Sequence, residues 1–88
     1  MFTSWGVETS KVFDRAELEG ALKELTDGVR FGTVLRAKGI VPSVGGWLHF
    51  DYIPGEVDIR EGAPSYTGRL CVIGAKLDEE ELKELFGV

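Results

Sequence analysis

The sequence predicts an α+β fold in two layers, a mostly antiparallel sheet with two helices on one face, in the order β-α-β-β-β-β-α. Three observations carry that prediction. Two short segments share the grammar of a helix start. The stretch between them is dominated by two-residue alternation of apolar and polar side chains, the period of a half-buried strand. Turns rich in Gly and Pro then cut this stretch into pieces of strand length.

Phe2 to Thr9 supplies a first strand. In Phe13-Asp14-Arg15-Ala16-Glu17-Leu18, Asp14 is placed to accept from the free N–H of Glu17, Glu17 to reach back to Asp14, and Phe13 to pack on Leu18. Leu18, Ala21, Leu22 and Leu25 mark the apolar face of a helix over about 15–26, which Asp27-Gly28 ends. Leu35, Ala37 and Val41 alternate with Arg36, Lys38 and Ile40. Leu48, Phe50 and Tyr52 alternate with Trp47, His49 and Asp51, and Val57 and Ile59 with Asp58 and Arg60. Leu70-Cys71-Val72-Ile73 is apolar throughout and reads as a central strand, with Cys71 a small buried hydrophobe. Pro42 with Gly45-Gly46, Pro54-Gly55 and the Gly62–Gly68 loop separate the strands. Leu77-Asp78-Glu79-Glu80-Glu81-Leu82 repeats the first helix start at the same offsets and opens a helix over 79–86. A helix of about two turns does not hold alone in water and must dock on the sheet. Trp5, Leu18, Leu22, Leu35, Leu48, Phe50, Val72, Leu82 and Phe86 are the expected core.

With 88 residues, 43% of them apolar, the chain has material for one hydrophobic core, and residues 1–88 are read as one domain. The single cysteine cannot form an intramolecular disulfide. The first residues lack a basic stretch followed by an apolar one, and no apolar run approaches the ~20 residues needed to span a bilayer. A cytoplasmic protein without a membrane partner is the expectation. The net charge of −5 is concentrated at one end: Asp78, Glu79, Glu80, Glu81 and Glu84 face one base, Lys83, while residues 1–77 carry ten acids and nine bases. Without a basic excess a nucleic-acid partner is not expected. The acidic run itself belongs at a helix N-terminus, where it offsets the dipole.

Phe2-Thr3-Ser4-Trp5, the Phe13-Asp14 helix start, Val34-Leu35-Arg36-Ala37-Lys38-Gly39-Ile40, and Arg69-Leu70-Cys71-Val72-Ile73-Gly74 followed by Leu77-Asp78 occur in the order seen in the C-terminal domains of CobW-type P-loop GTPases. The chain resembles that family over nearly its whole length. The resemblance implies a domain that follows a GTPase domain in proteins resembling metallochaperones or cobalamin-synthesis factors. Nucleotide hydrolysis is not carried over. The chain has no Gly-x-x-x-x-Gly-Lys-Ser/Thr loop to cradle phosphates, no Gly-Lys dipeptide, and no cysteine-rich metal motif.

Arg36 and Lys38 fall on the side of their strand opposite Leu35 and Ala37, where they could meet an acidic partner. Trp47, His49, Asp51, Asp58 and Arg60 share that face if the strands neighbour one another, and Trp and Arg are the residues that concentrate in interface hot spots. Either these are solvated residues covering a sheet, or Arg36, Lys38, Trp47, His49 and Arg60 form an interaction surface. His49 and Asp51 project together and offer half of a metal site. The only histidine has no Ser or Cys placed beside it by sequence, so no enzymatic reaction and no cofactor is expected. Three readings follow. One is an accessory or regulatory module for a CobW-type GTPase or a corrinoid or metal-handling protein. Another is a small-ligand or metal-binding protein using His49 and Asp51. The third is a homodimer that hides the sheet face against itself.

Overall fold

Eight elements follow one another along residues 1–88, all of which the structure, a computed structural model, describes. They are strand β1 (Thr3–Thr9), helix α1 (Arg15–Glu24), short helix α2 (Gly28–Phe31), β2 (Thr33–Ser43), β3 (Gly46–Ile53), β4 (Glu56–Glu61), β5 (Gly68–Ala75) and helix α3 (Glu79–Phe86). The strands form one sheet in the order β1-β5-β2-β3-β4, antiparallel at every step. The expected α+β arrangement is the one observed, with α2 as an addition. The chain leaves β1, crosses α1 and α2, and enters β2 one strand further on. The slot between is filled by β5, the last strand in sequence.

Alternation decides which side chains meet the helices. Trp5 from β1, Leu48, Phe50 and Tyr52 from β3, Ile59 from β4, and Leu70 and Val72 from β5 turn inward. There they join Leu18, Ala21, Leu22 and Leu25 of the first helical segment and Leu82 and Phe86 of α3 in one cluster of 18 buried apolar residues. Trp5 stacks on Phe86 with ring centroids 6.2 Å apart, seating α3 beneath β1. Gly39 is inward-facing on β2 where no side chain fits, because a Cβ would run into the Arg69 carbonyl and the Phe50 ring lying across it.

Leu35 is a correction. It was expected in the core and is 38% exposed, while its neighbour Val34 is buried. The pairing of β2 with β5 shifts register between Val34 and Arg36. A bulge adds one residue to a strand and breaks the alternation there. Val34 and Ala37 therefore both face inward although three residues apart, and Leu35 is the residue left outside.

The two helix starts are not twins. At α1 the Asp14 N–H donates to Glu17 Oε1 at 3.5 Å, the return half of a capping box. At α3 the Asp78 side chain accepts from the Glu81 N–H at 3.1 Å, but Glu81 does not reach back. It takes a 2.7 Å hydrogen bond from Arg30 Nε instead, and the Asp78 N–H donates to the Phe31 carbonyl. The difference lies in α2, whose four residues are too few for periodicity to reveal. Asp27 caps α2 by accepting from Val29 and Arg30, and Gly32 closes it at φ +87°, leading the chain into β2.

Cations fix the helix layer to the sheet. Arg15 Nη2 donates to the Ile59 carbonyl at 2.7 Å, tying α1 to β4. Lys11 Nζ donates to Glu17 at 2.8 Å and to the Phe86 carbonyl at 2.7 Å, and so joins the start of α1 to the end of α3. Both placements suit the helix dipoles, an acid at an N-terminus and a cation at a C-terminus. The hydrogen bond from Lys11 holds the Glu17 carboxyl below the usual carboxylate range. Glu81 likewise holds the Arg30 guanidinium more firmly protonated than usual.

Two substitutions check this packing. Leu82 is fully buried at the helix–sheet contact, so Leu82→Ala should lower the unfolding free energy by about 2–5 kcal/mol in denaturant melts. A change within about 0.5 kcal/mol, the range of ordinary surface substitutions, would mean that α3 is not docked. The Tyr52 hydroxyl is buried without a hydrogen-bond partner, and that burial pushes its phenol up. Tyr52→Phe removes an unsatisfied group and should leave stability unchanged or raise it by up to about 1 kcal/mol. A clear loss would show that the hydroxyl has a partner in solution.

Candidate functional site

The sheet face away from the helices carries the candidate residues, and strand register arranges them in rows. One row runs Glu8, Arg69, Ile40, His49, Arg60 across all five strands. The next runs Gly6, Cys71, Lys38, Asp51, Asp58. Trp47 stands opposite Pro42 at one end, and Ile73 opposite Arg36 towards the other. The five expected interaction residues, Arg36, Lys38, Trp47, His49 and Arg60, are thus all on this face, and Asp51 with them. Trp47 and His49 are half-buried, whereas Arg36, Lys38 and Arg60 are exposed.

Asp51 is the electrostatic centre of the face. Its carboxylate meets Arg36 Nη2 at 3.4 Å and Arg60 Nη1 at 3.0 Å, and Arg60 also reaches Asp58 at 2.6 Å. Asp51 first, then Asp58, hold the Arg60 guanidinium more firmly protonated than usual. All four side chains are well exposed, so pairs of this kind contribute at most about 1 kcal/mol each. Their effect is to spend Arg36 and Arg60 on internal partners.

His49 has a structural task. Its Nε2 lies 2.9 Å from the Ala63 carbonyl, and since a carbonyl only accepts, Nε2 carries the proton. The ring also lies where a side chain at Gly62 would be, and the Gly62 N–H donates to the Trp47 carbonyl at 3.2 Å. His49 therefore clasps the loop between β4 and β5. The half-site imagined for a metal stays a half-site: Asp51 is engaged by two arginines, and no group of three or more His, Cys, Asp or Glu side chains is gathered to hold a metal ion.

Cys71 is a second correction. It was placed in the core because Leu70–Ile73 is apolar throughout. The strand is interior to the sheet, but only Leu70 and Val72 turn inward, while Cys71 is half-buried on the outer face and Ile73 is exposed there. A continuous apolar strand signals two covered faces, and here the outer face has no cover from this chain. Cys71, Ile40 and Gly6, with Lys38, His49 and Arg69 around them, line a shallow concavity of about 760 Å3. Sequence reasoning gave Arg69 no place on this face and put Cys71 in the core, because Cys71 and Ile73 are as apolar as Leu70 and Val72 and the run shows no polar alternation to tell the two sides apart.

Residues 2–88 match the family described as the cobalamin synthesis protein cobW C-terminal domain. The chain belongs to the CobW C-terminal domain family. The fold of this CobW C-terminal domain is also that of part of the Zn(II)-bound YjiA GTPase from E. coli, with a TM-score of 0.80, 22% identity, and coverage of 98% of this chain. A Zn(II)-bound triple mutant of YjiA matches with the same values. The chain spans 29% of the length of that GTPase. Among curated protein sequences, none matches. No helix of this CobW C-terminal domain is long and apolar enough to cross a membrane.

The clasp is open to test. His49→Ala should speed amide hydrogen exchange across residues 62–67 while leaving the β2–β5 amides protected, because only the loop loses its tether. Uniformly faster exchange would make His49 a core support instead.

Proposed function

We propose that the chain is a non-catalytic accessory module that docks a partner protein on the outer face of its sheet. The observation that carries this reading is the uncovered face itself. All the helices pack on one side, and the other presents Trp47, Ile40, Ile73 and Cys71 among arginines, lysine and aspartates. Apolar and aromatic anchors within a charged rim are the composition of protein interfaces. The partner class follows from the family: a CobW-type P-loop GTPase, or a corrinoid or metal-handling protein that works with one. Such a partner would be met in the cytoplasm, where a reducing environment keeps Cys71 a free thiol.

The absence of a catalytic step in this reading is supported by how the one histidine is used. A general base needs a free nitrogen aimed at a reacting group, and the His49 Nε2 is turned to the Ala63 carbonyl. Its neighbour Asp51 is neutralised by two guanidinium groups.

Trp47→Ala provides the test. With the indole half-buried on the outer face, the variant should melt close to the parent. Its affinity for the purified P-loop domain of a CobW-family GTPase from the same genome should fall by about 1 kcal/mol or more in calorimetry. If Trp47→Ala unfolds the domain, or if that GTPase domain binds the variant as well as the parent, the outer face is not the docking surface. Concentration-dependent sizing that collapses in the same variant would make the occupant a second copy instead.

A further inference from the structure

The four cations of the outer face are not equivalent. Arg36 and Arg60 are spent on Asp51 and Asp58. Lys38 and Arg69 make no ion pair with any carboxylate. Lys38 stands across from Asp51 on one side and Cys71 on the other, and Arg69 across from Glu8 and Ile40, yet neither reaches its acidic neighbour. The one polar side-chain contact of Arg69 is a 3.4 Å hydrogen bond to Ser65.

Because Lys38 pairs with Cys71 and Ile40 with Arg69, the two free cations are diagonal neighbours on adjacent strands. Diagonal positions in a sheet lie about 7–8 Å apart. Two like charges held at this separation repel, though less than a directly opposed pair, and a chain with a net charge of −5 does not lack carboxylates to neutralise them. Between the two cations the floor is Ile40 and Cys71, and Gly6 carries no side chain to close the β1 side. The result is a concavity with a small apolar floor and two unneutralised positive groups, rimmed by Glu8 on one side and by Asp51 with its partner Arg60 on the other.

Resting on the docking reading above, we propose that this concavity receives an extended acidic segment of a partner protein, with a carboxylate-x-carboxylate pair seated on Lys38 and Arg69. The spacing selects this ligand. In an extended peptide the side chains at i and i+2 project to the same side about 6.5–7 Å apart, close to the diagonal separation of the two cations. The charge pattern limits its length. Asp51 and Asp58 lie beyond Lys38 in its row, and Glu8 beyond Arg69 in the other. A uniform polyanion such as a nucleic-acid strand would continue onto those carboxylates, whereas a peptide offers two acids and then stops.

The test is a 15N titration of the 88-residue chain with a synthetic octapeptide carrying a central Glu-Val-Glu among Gly, Ser and Thr. The same peptide with Gln-Val-Gln, a twelve-nucleotide oligothymidylate and inorganic phosphate serve as comparison ligands. Saturable shifts should centre on Gly6, Lys38, Ile40, Arg69 and Cys71. Affinity should fall about tenfold or more in Lys38→Glu and in Arg69→Glu, and several-fold in Lys38→Gln and Arg69→Gln, which serve should the reversals fail to fold. Lys83→Glu makes the same charge change on α3 and should have no effect. Equal binding of the Gln peptide, no loss in the four outer-face variants, or tighter binding of oligothymidylate or phosphate than of the Glu peptide would each overturn the proposal. If the Glu peptide does not bind while Trp47→Ala still weakens the GTPase complex, the acidic-segment assignment falls and the docking surface stands. If both effects are absent, the surface reading falls with it.

Discussion

The structure depends on β5 entering the slot between β1 and β2. Those two strands are joined in sequence through α1 and α2, yet they never form a ladder with one another, since β5 pairs with both over nearly its whole length. One strand thereby supplies both faces of the molecule. Leu70 and Val72 lie in the centre of the core, and Arg69 and Cys71 lie in the concavity on the other side. Without β5, Trp5 loses the neighbour that holds it over Phe86, and Lys38 loses the diagonal partner that makes its position unusual. The pairing of β5 with β2 joins residues 29 to 42 apart in the chain, which makes the sheet a late and cooperative product of folding.

The helix layer is fixed by a different device. Apolar contact alone sets α1 and α3 against the sheet but does not fix their ends. Lys11, Arg15 and Arg30 do so, each reaching from one element to a carbonyl or carboxylate of another. Spending these cations inside the helix layer leaves Glu79, Glu80 and Glu84 exposed on α3 without basic partners. The molecule is polar in the electrical sense, with its surplus of acid on the helix side and its only adjacent unneutralised cations on the sheet side. Long-range fields of this kind orient partners during encounter more than they hold the finished complex.

What could be read in the sequence was what local chemistry decides. Asp14 and Asp78 announce their helices within four residues, and two-residue alternation placed Leu48, Phe50 and Tyr52 against Trp47, His49 and Asp51 on the correct sides. The misreadings come from partners distant in sequence. The bulge at Leu35 exists because β2 must match β5, and nothing near Leu35 states that. Glu81 left its capping role because Arg30, 51 residues earlier, offered a stronger partner. Cys71 was assigned to the core by a rule for strands covered on both faces. On β5 this chain covers only the face of Leu70 and Val72, and Cys71 lies on the other.

That mismatch bears directly on function. A sheet face open to water ordinarily alternates polar residues on every strand, and β4 here follows that pattern with Asp58 and Arg60, as does the middle of β3 with His49 and Asp51, between Trp47 and Ile53 at its ends. On β5 the outward residues are instead Arg69, Cys71 and Ile73, and on β2 they include Ile40. The two unpaired cations thus stand beside apolar residues at the middle of two adjoining strands, while the middle of β3 and β4 carries paired charges. Stability gives no reason for this segregation, since exposed isoleucine adds nothing to the core and unneutralised neighbours repel. A covering partner gives reasons for both features at once: apolar floor to be buried, and two positive charges left for its carboxylates.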